Sequence, residues 1–88
     1  MKQVHLRLYG DVQGVGFRFF IRQQAKLIGV KGFVRNLKDC VEVVANGSDE
    51  KILVFSRQCK RGPIMSRIER SEEEEMPIEE FEDFEIRL

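Results

Sequence analysis

The chain has 88 residues, which suits one domain over 1–88 and leaves no room for a second. No apolar run approaches the roughly 18 residues that span a bilayer, and MKQVHLRLYG lacks a signal-peptide core, so no membrane association and a cytoplasmic location are expected. Net charge is zero but uneven: residues 1–67 sum to +8 and residues 68–88 to −8. This pattern suits an anionic small molecule better than a nucleic acid.

In chain order, residues 2–9 (KQVHLRLY) alternate, with Val4, Leu6 and Leu8 on one face and His5, Arg7 and Tyr9 on the other. A period of two marks a half-buried strand. GDVQGVGFR (10–18) comes next, three glycines and then an arginine. A helix is expected from near Phe17, because Phe17, Phe20, Ile21, Ala25 and Ile28 recur at spacings of three and four; Gly29 stops it.

GFVRNLK (32–38) and VEVVAN (41–46) read as two strands around a tight turn at Asp39–Cys40. Ser48 is positioned to cap a helix from Asp49, whose apolar stripe is Ile52, Phe55 and Cys59 with Leu53 beside it. Gly62-Pro63 ends that helix. SRIERSEEEEM has strand-like spacing with Ile68 as its apolar anchor, and Glu72–Glu75 reads as a solvated edge or loop. Phe84 and Ile86 suit a short last strand.

The order β-α-β-β-α-β, plus that terminal strand, is the split βαβ pattern of an α+β, ferredoxin-like sandwich: an antiparallel sheet with two helices on one face. This topology brings the loop 10–16 and the end of the second strand to one sheet edge. Asn36 shares a face with Val34, so if Val34 packs under the first helix, Asn36 points at that helix's N-terminus, near Arg18.

Gly10, Gly14 and Gly16 give the backbone freedom to wrap an anion, and a strand–loop–helix junction aims unpaired amides and the helix dipole at one point. Arg18 adds a planar fork matched to phosphate or carboxylate oxygens. Without GK[ST] or GxGxxG, neither a nucleoside triphosphate nor a dinucleotide site is indicated. Taken alone, the loop fits a plain tight turn with Arg18 as a solvated surface charge slightly better than an anion site.

VQGVGFR (12–18), GFVRNLKD (32–39) and VEVVANG (41–47), continued by GP (62–63), RIER (67–70) and FEDFEIR (81–87), resemble the acylphosphatase family over nearly the whole chain. The resemblance implies an enzyme that hydrolyses the carboxyl–phosphate bond of small acyl phosphates to carboxylate and inorganic phosphate, with no metal or cofactor. It puts the catalytic arginine on Arg18 and the catalytic asparagine on Asn36. The phosphate cradle falls on the amides of Gln13, Gly14, Val15, Gly16, Phe17 and Arg18.

Two departures stand out. Cys40 replaces a usual glycine in a turn one residue shorter, so the hairpin must be rebuilt. Ser71, Glu73 and Glu75 fall where apolar residues are usual, so the fourth strand is expected to be shorter or more exposed. His5 is no base candidate in mid-strand. Arg35 and Lys38 read as surface charges that draw in anions, Tyr9 and Phe17 as packing residues, and Asp11 as a solvated loop residue.

Two cysteines and one histidine are too few for a closed zinc site, and the cysteines read as reduced, partly buried thiols. A monomer is expected. The competing reading is a non-catalytic, phosphate- or carbamoyl-phosphate-binding or regulatory domain. An RNA-binding module is disfavoured because aromatic RNP segments are missing.

Overall fold

The computed structural model describes residues 1–14 and 16–88. Its elements are β1 (Lys2–Asp11), α1 (Phe17–Ile28), β2 (Lys31–Asn36), β3 (Val41–Gly47), α2 (Asp49–Arg61), β4 (Arg67–Met76) and β5 (Phe84–Arg87). The sheet order is β4-β1-β3-β2-β5. The first four strands pair antiparallel, as the βαββαβ pattern requires, whereas β5 runs parallel to β2 and makes the five-stranded sheet mixed.

The alternation in β1 does what its period implies. Val4, Leu6 and Leu8 are buried and share one core with Val34, Val41, Val43 and Ala45 from the sheet and with side chains of both helices. Both helices therefore lie on that face. From α1 come Phe17, Ile21 and Ala25, with Phe20 and Ile28 packed against them; from α2 come Ile52, Phe55 and Cys59. Leu53 stays exposed. Gly29 ends α1 in the left-handed region (φ 93°) and donates its N–H to the Ala25 carbonyl at 2.8 Å. The Ser48 hydroxyl accepts from Lys51 N–H at 3.2 Å and caps α2.

Register sets the relative height of the strand ends. Val41 of β3 lies opposite Leu8 on one side and Asn36 on the other, so Leu8, Val41 and Asn36 form one row across the sheet. The end of β1 and the end of β2 are thus level. The second strand stops at Asn36 rather than Lys38. Residues 37–40 then turn back with Leu37 N–H donating to the Cys40 carbonyl at 2.8 Å. No non-glycine residue among those described has positive φ, so the rebuilt turn does not ask Cys40 for a glycine conformation.

The fourth strand is more exposed, as expected, but it is not shorter: it runs for ten residues. Its acidic run is paired strand, not loop, because neighbouring groups match its charges. On the outer face Glu74 meets His5 at 3.4 Å, and Glu72 accepts from the Tyr9 hydroxyl at 2.8 Å. On the helix face Glu73 accepts from the Ser56 hydroxyl at 2.6 Å and pairs with Lys60 at 2.9 Å.

After β4 the chain crosses the outer face and is held there by buried amides. The Asn46 amide donates to Gln3 Oε1 at 3.0 Å and to the Glu79 carbonyl at 2.8 Å, and Glu79 N–H donates to Gln3 Oε1 at 2.7 Å. This strap delivers β5 to the edge of β2, with Ile86 opposite Val34.

Replacing Ser48 by Ala should lower stability by about 1 kcal/mol in chemical denaturation, since it removes the cap of α2. Glu42 supplies a pH test. Burial alone would raise its pKa, but hydrogen bonds from His5 and Arg35 outweigh that and hold it below the ordinary value of 4.5. A depressed carboxylate contributes stability that is present above the ordinary value and lost as pH falls through the lowered one. Denaturation midpoints measured from pH 6 down to pH 3 (roughly the carboxylate range) should therefore fall less steeply in Glu42→Gln than in the wild type.

Candidate functional site

The β1–α1 loop is pinned where it leaves β1. Val12 is buried in the core and its N–H donates to the Gly10 carbonyl at 3.0 Å. The Gln13 side chain reaches across to the 37–40 turn, donating to the Leu37 carbonyl at 2.7 Å and to the Cys40 carbonyl at 3.3 Å. The loop that leaves β1 is thereby tied to the turn that succeeds Asn36.

Gly14 (φ 77°) and Gly16 (φ 72°) both adopt left-handed backbone that an L side chain rarely takes. Gly16 is the N-cap of α1. It offers no side chain to cap the helix, and no acidic residue stands in the first turn. The first helical bond runs from Phe20 N–H to the Gly16 carbonyl, so the amides of Phe17, Arg18 and Phe19 have no partner within the helix. The contrast with α2 is sharp, since Ser48 caps that helix and Asp49 and Glu50 offset its dipole. The start of α1 is left electropositive.

Around it lies a pocket of about 180 Å³ lined by Val12, Gly14, Gly16, Phe17, Arg18, Phe19, Asn36 and Ile86. That is smaller than the roughly 300–1,000 Å³ of drug-sized sites, and it suits a small ligand. The convergence of Arg18 and Asn36 expected from topology is present, although 18 positions separate them. Arg18 is half-buried, and among the described residues no carboxylate lies within 4.0 Å of it. By contrast Arg35 is engaged by Glu42 on the outer face of the sheet.

Asn36 carries the second anomaly. Its Oδ1 is buried, and no hydrogen-bond partner for it occurs among the described residues. An unsatisfied buried polar atom costs about 1–3 kcal/mol, and such atoms concentrate where function requires them. Half a turn about χ2 exchanges the two ends of the amide, so either an acceptor or a donor can face the pocket.

Of the other expected cradle residues, Gly14, Gly16 and Phe17 line this pocket, while Gln13 faces the neighbouring cleft with Lys38 and Asp39. Val15 lies outside the described residues. His5 sits on the opposite face, bonded to Glu42 at 2.8 Å. Cys40 and Cys59 are free and buried, and burial raises both thiol pKa values, so neither presents a thiolate nucleophile. Among the described residues no group of three or more His, Cys, Asp and Glu side chains is gathered as metal ligands would be.

Sequence reasoning misses three contributors. It reaches Gln13 only as a backbone amide, not as a side chain that ties two loops. Phe19 falls outside the buried stripe of α1, which is the available signal for an exposed aromatic beside the arginine. Ile86 reaches the pocket only through the parallel β2–β5 pairing, which no local pattern announces.

Residues 4–86 match the acylphosphatase family. An acylphosphatase of Thermococcus kodakarensis is 42% identical over 89 residues, covering 98% of each chain. The crystal structure of the acylphosphatase from Bacillus subtilis superposes with a TM-score of 0.96 at 30% identity, covering 100% of both chains. A segment of full-length HypF, solved in a phosphate- and nucleotide-bound form, gives a TM-score of 0.93 at 31% identity; it covers 98% of this chain and 12% of that one.

Gln13→Ala should raise the inhibition constant of inorganic phosphate by about ten-fold, because two hydrogen bonds that hold the loop are lost at about 0.5–1.5 kcal/mol each. Isotope-exchange protection of the Val12 and Leu37 amides, which are hydrogen-bonded on either side of this tie, should fall with it.

Proposed function

Because this chain belongs to the acylphosphatase family, and so hydrolyses the carboxyl–phosphate anhydride of an acyl phosphate, we propose that Arg18 and the amides of residues 13–18 hold the phosphoryl group while Asn36 positions the attacking water. The observation that carries this reading is the joint lining of one pocket by the uncapped start of α1, Arg18 and Asn36. Phosphoryl transfer asks mainly for positioning and for stabilisation of charge on the equatorial oxygens. Amides without helical partners and a guanidinium supply that charge stabilisation.

The water oxygen attacks phosphorus as the bond from phosphorus to the acyl oxygen breaks. The carboxylate leaves with the bonding pair and needs no strong general acid. The Asn36 amide cannot take a proton, so the water's proton passes to a phosphate oxygen or to solvent, giving carboxylate and inorganic phosphate. One end of the amide orients the water, and its placement converts a random encounter into an aligned one.

The small pocket supports a small acyl phosphate as substrate. No helix among the described residues is long and apolar enough to cross a membrane. Two buried free thiols suit the reducing cytoplasm, and a monomer is the assembly we infer. A non-catalytic phosphate-binding role draws on the match to a segment of HypF, while free-standing relatives matched along their length favour the enzyme.

The test is hydrolysis of acetyl phosphate by wild type, Arg18→Ala and Asn36→Ala. Each substitution should lower kcat/KM by about 100-fold or more, inorganic phosphate should compete with substrate, and EDTA should leave the rate unchanged. A wild type no faster than buffer would favour the non-catalytic role. Full activity in both variants would remove these residues from the mechanism, and loss to EDTA restored by Mg²⁺ would contradict a metal-independent one.

A further inference from the structure

We infer that Phe19 and Ile86 form an acyl-recognition wall that selects acyl phosphates whose acyl group is uncharged and apolar, aromatic or branched-alkyl in class. This rests on the reading of the pocket as the acyl-phosphate site. Once the phosphoryl group occupies the glycines and Arg18, the acyl group must leave over whatever apolar surface the pocket still presents. Val12 and Phe17 are sealed in the core. The lining side chains with surface to offer are Phe19, which is 64% exposed, and Ile86, which is half-buried.

An exposed phenylalanine next to the arginine is otherwise unexplained, because α1 already buries its stripe without it. The ring is also held. The Arg22 guanidinium lies 4.7 Å from its centroid, one turn along the helix, and covers one face. Ile86 owes its place to the pairing of β5 with β2, opposite Val34 and two residues before the level of Asn36.

Charge points the same way. Among the described lining residues Arg18 is the one cation, and the phosphate uses it. A second carboxylate on the acyl group, as in succinyl phosphate, would meet a benzene ring and an alkyl chain at the wall and lose hydration there, since Arg22 is engaged on the Phe19 ring and does not line the pocket. An aromatic acyl group would stack on Phe19.

The experiment compares kcat/KM for benzoyl, acetyl and succinyl phosphate in the wild type and in Phe19→Ala, Phe19→Leu and Ile86→Ala, with the inhibition constant of inorganic phosphate measured alongside. The wild type should prefer benzoyl over acetyl and disfavour succinyl phosphate. Phe19→Ala should lower the benzoyl-to-acetyl ratio by about ten-fold, Ile86→Ala should lower it in the same direction, and Phe19→Leu should retain most of it. The phosphate inhibition constant should track none of these changes. Hydrolysis with no apolar preference, or a ratio unchanged in both alanine variants, overturns the acyl wall while leaving the phosphate site intact. A wild type that hydrolyses none of the three overturns the underlying reading, and the wall with it.

Discussion

One row of backbone pairing underlies the site. Val41 is bonded into the sheet between Leu8 and Asn36, so the ends of β1 and β2 are held at the same height on either side of β3. From Leu8 the chain goes on to the glycine loop and then turns down into α1, while Asn36 stays fixed in the sheet. A slip of one residue between β2 and β3 would turn Asn36 to the outer face, where Arg35 and Glu42 now meet. The core holds the register against that slip, because Val34, fully buried on the same face of β2, would be turned out with Asn36.

The second constraint is electrostatic, and it is local. The two helices share a core but end differently. At α2 a serine cap and two acidic residues satisfy the N-terminus, as ordinary stability would favour; α1 begins at a left-handed glycine with neither. Leaving helix amides and a guanidinium without anionic partners sacrifices some stability in the empty protein. In the role we propose for this pocket, the same charge is preorganised before substrate arrives, where it is worth most during phosphoryl transfer. The outer face shows the opposite habit, with Glu42 taken up by His5 and Arg35 and Glu72 by Tyr9.

Much of this is legible in the sequence because the signals are local. The alternation of Val4, Leu6 and Leu8, the stripe from Phe17 to Ile28, and Ser48 ahead of Asp49 each depend on near neighbours, and each element forms where expected. Arg18 and Asn36 can be brought together because βαβ topology carries long-range information in few choices. What escapes are contacts between segments distant in sequence. Glu72–Glu75 looks like a solvated run because its partners His5, Tyr9, Ser56 and Lys60 lie elsewhere in the chain. Asn46 reads as the last residue of a strand, yet its amide anchors the crossing segment at Glu79. Gln13 reads as a backbone amide, yet its side chain holds the loop to a turn 24 positions away.

The division of labour we propose for Arg18 and Asn36 is tested most directly by equilibrium binding of inorganic phosphate. Calorimetric titration of Asn36→Ala should give the same dissociation constant as the wild type even though its turnover is lost, whereas Arg18→Ala should bind phosphate at least ten-fold more weakly (charged hydrogen bonds contribute about 1.5–3 kcal/mol). If Asn36→Ala lost phosphate binding in proportion to its activity, or if Arg18→Ala bound phosphate as the wild type does, the assignment of phosphate to one residue and water to the other would be contradicted.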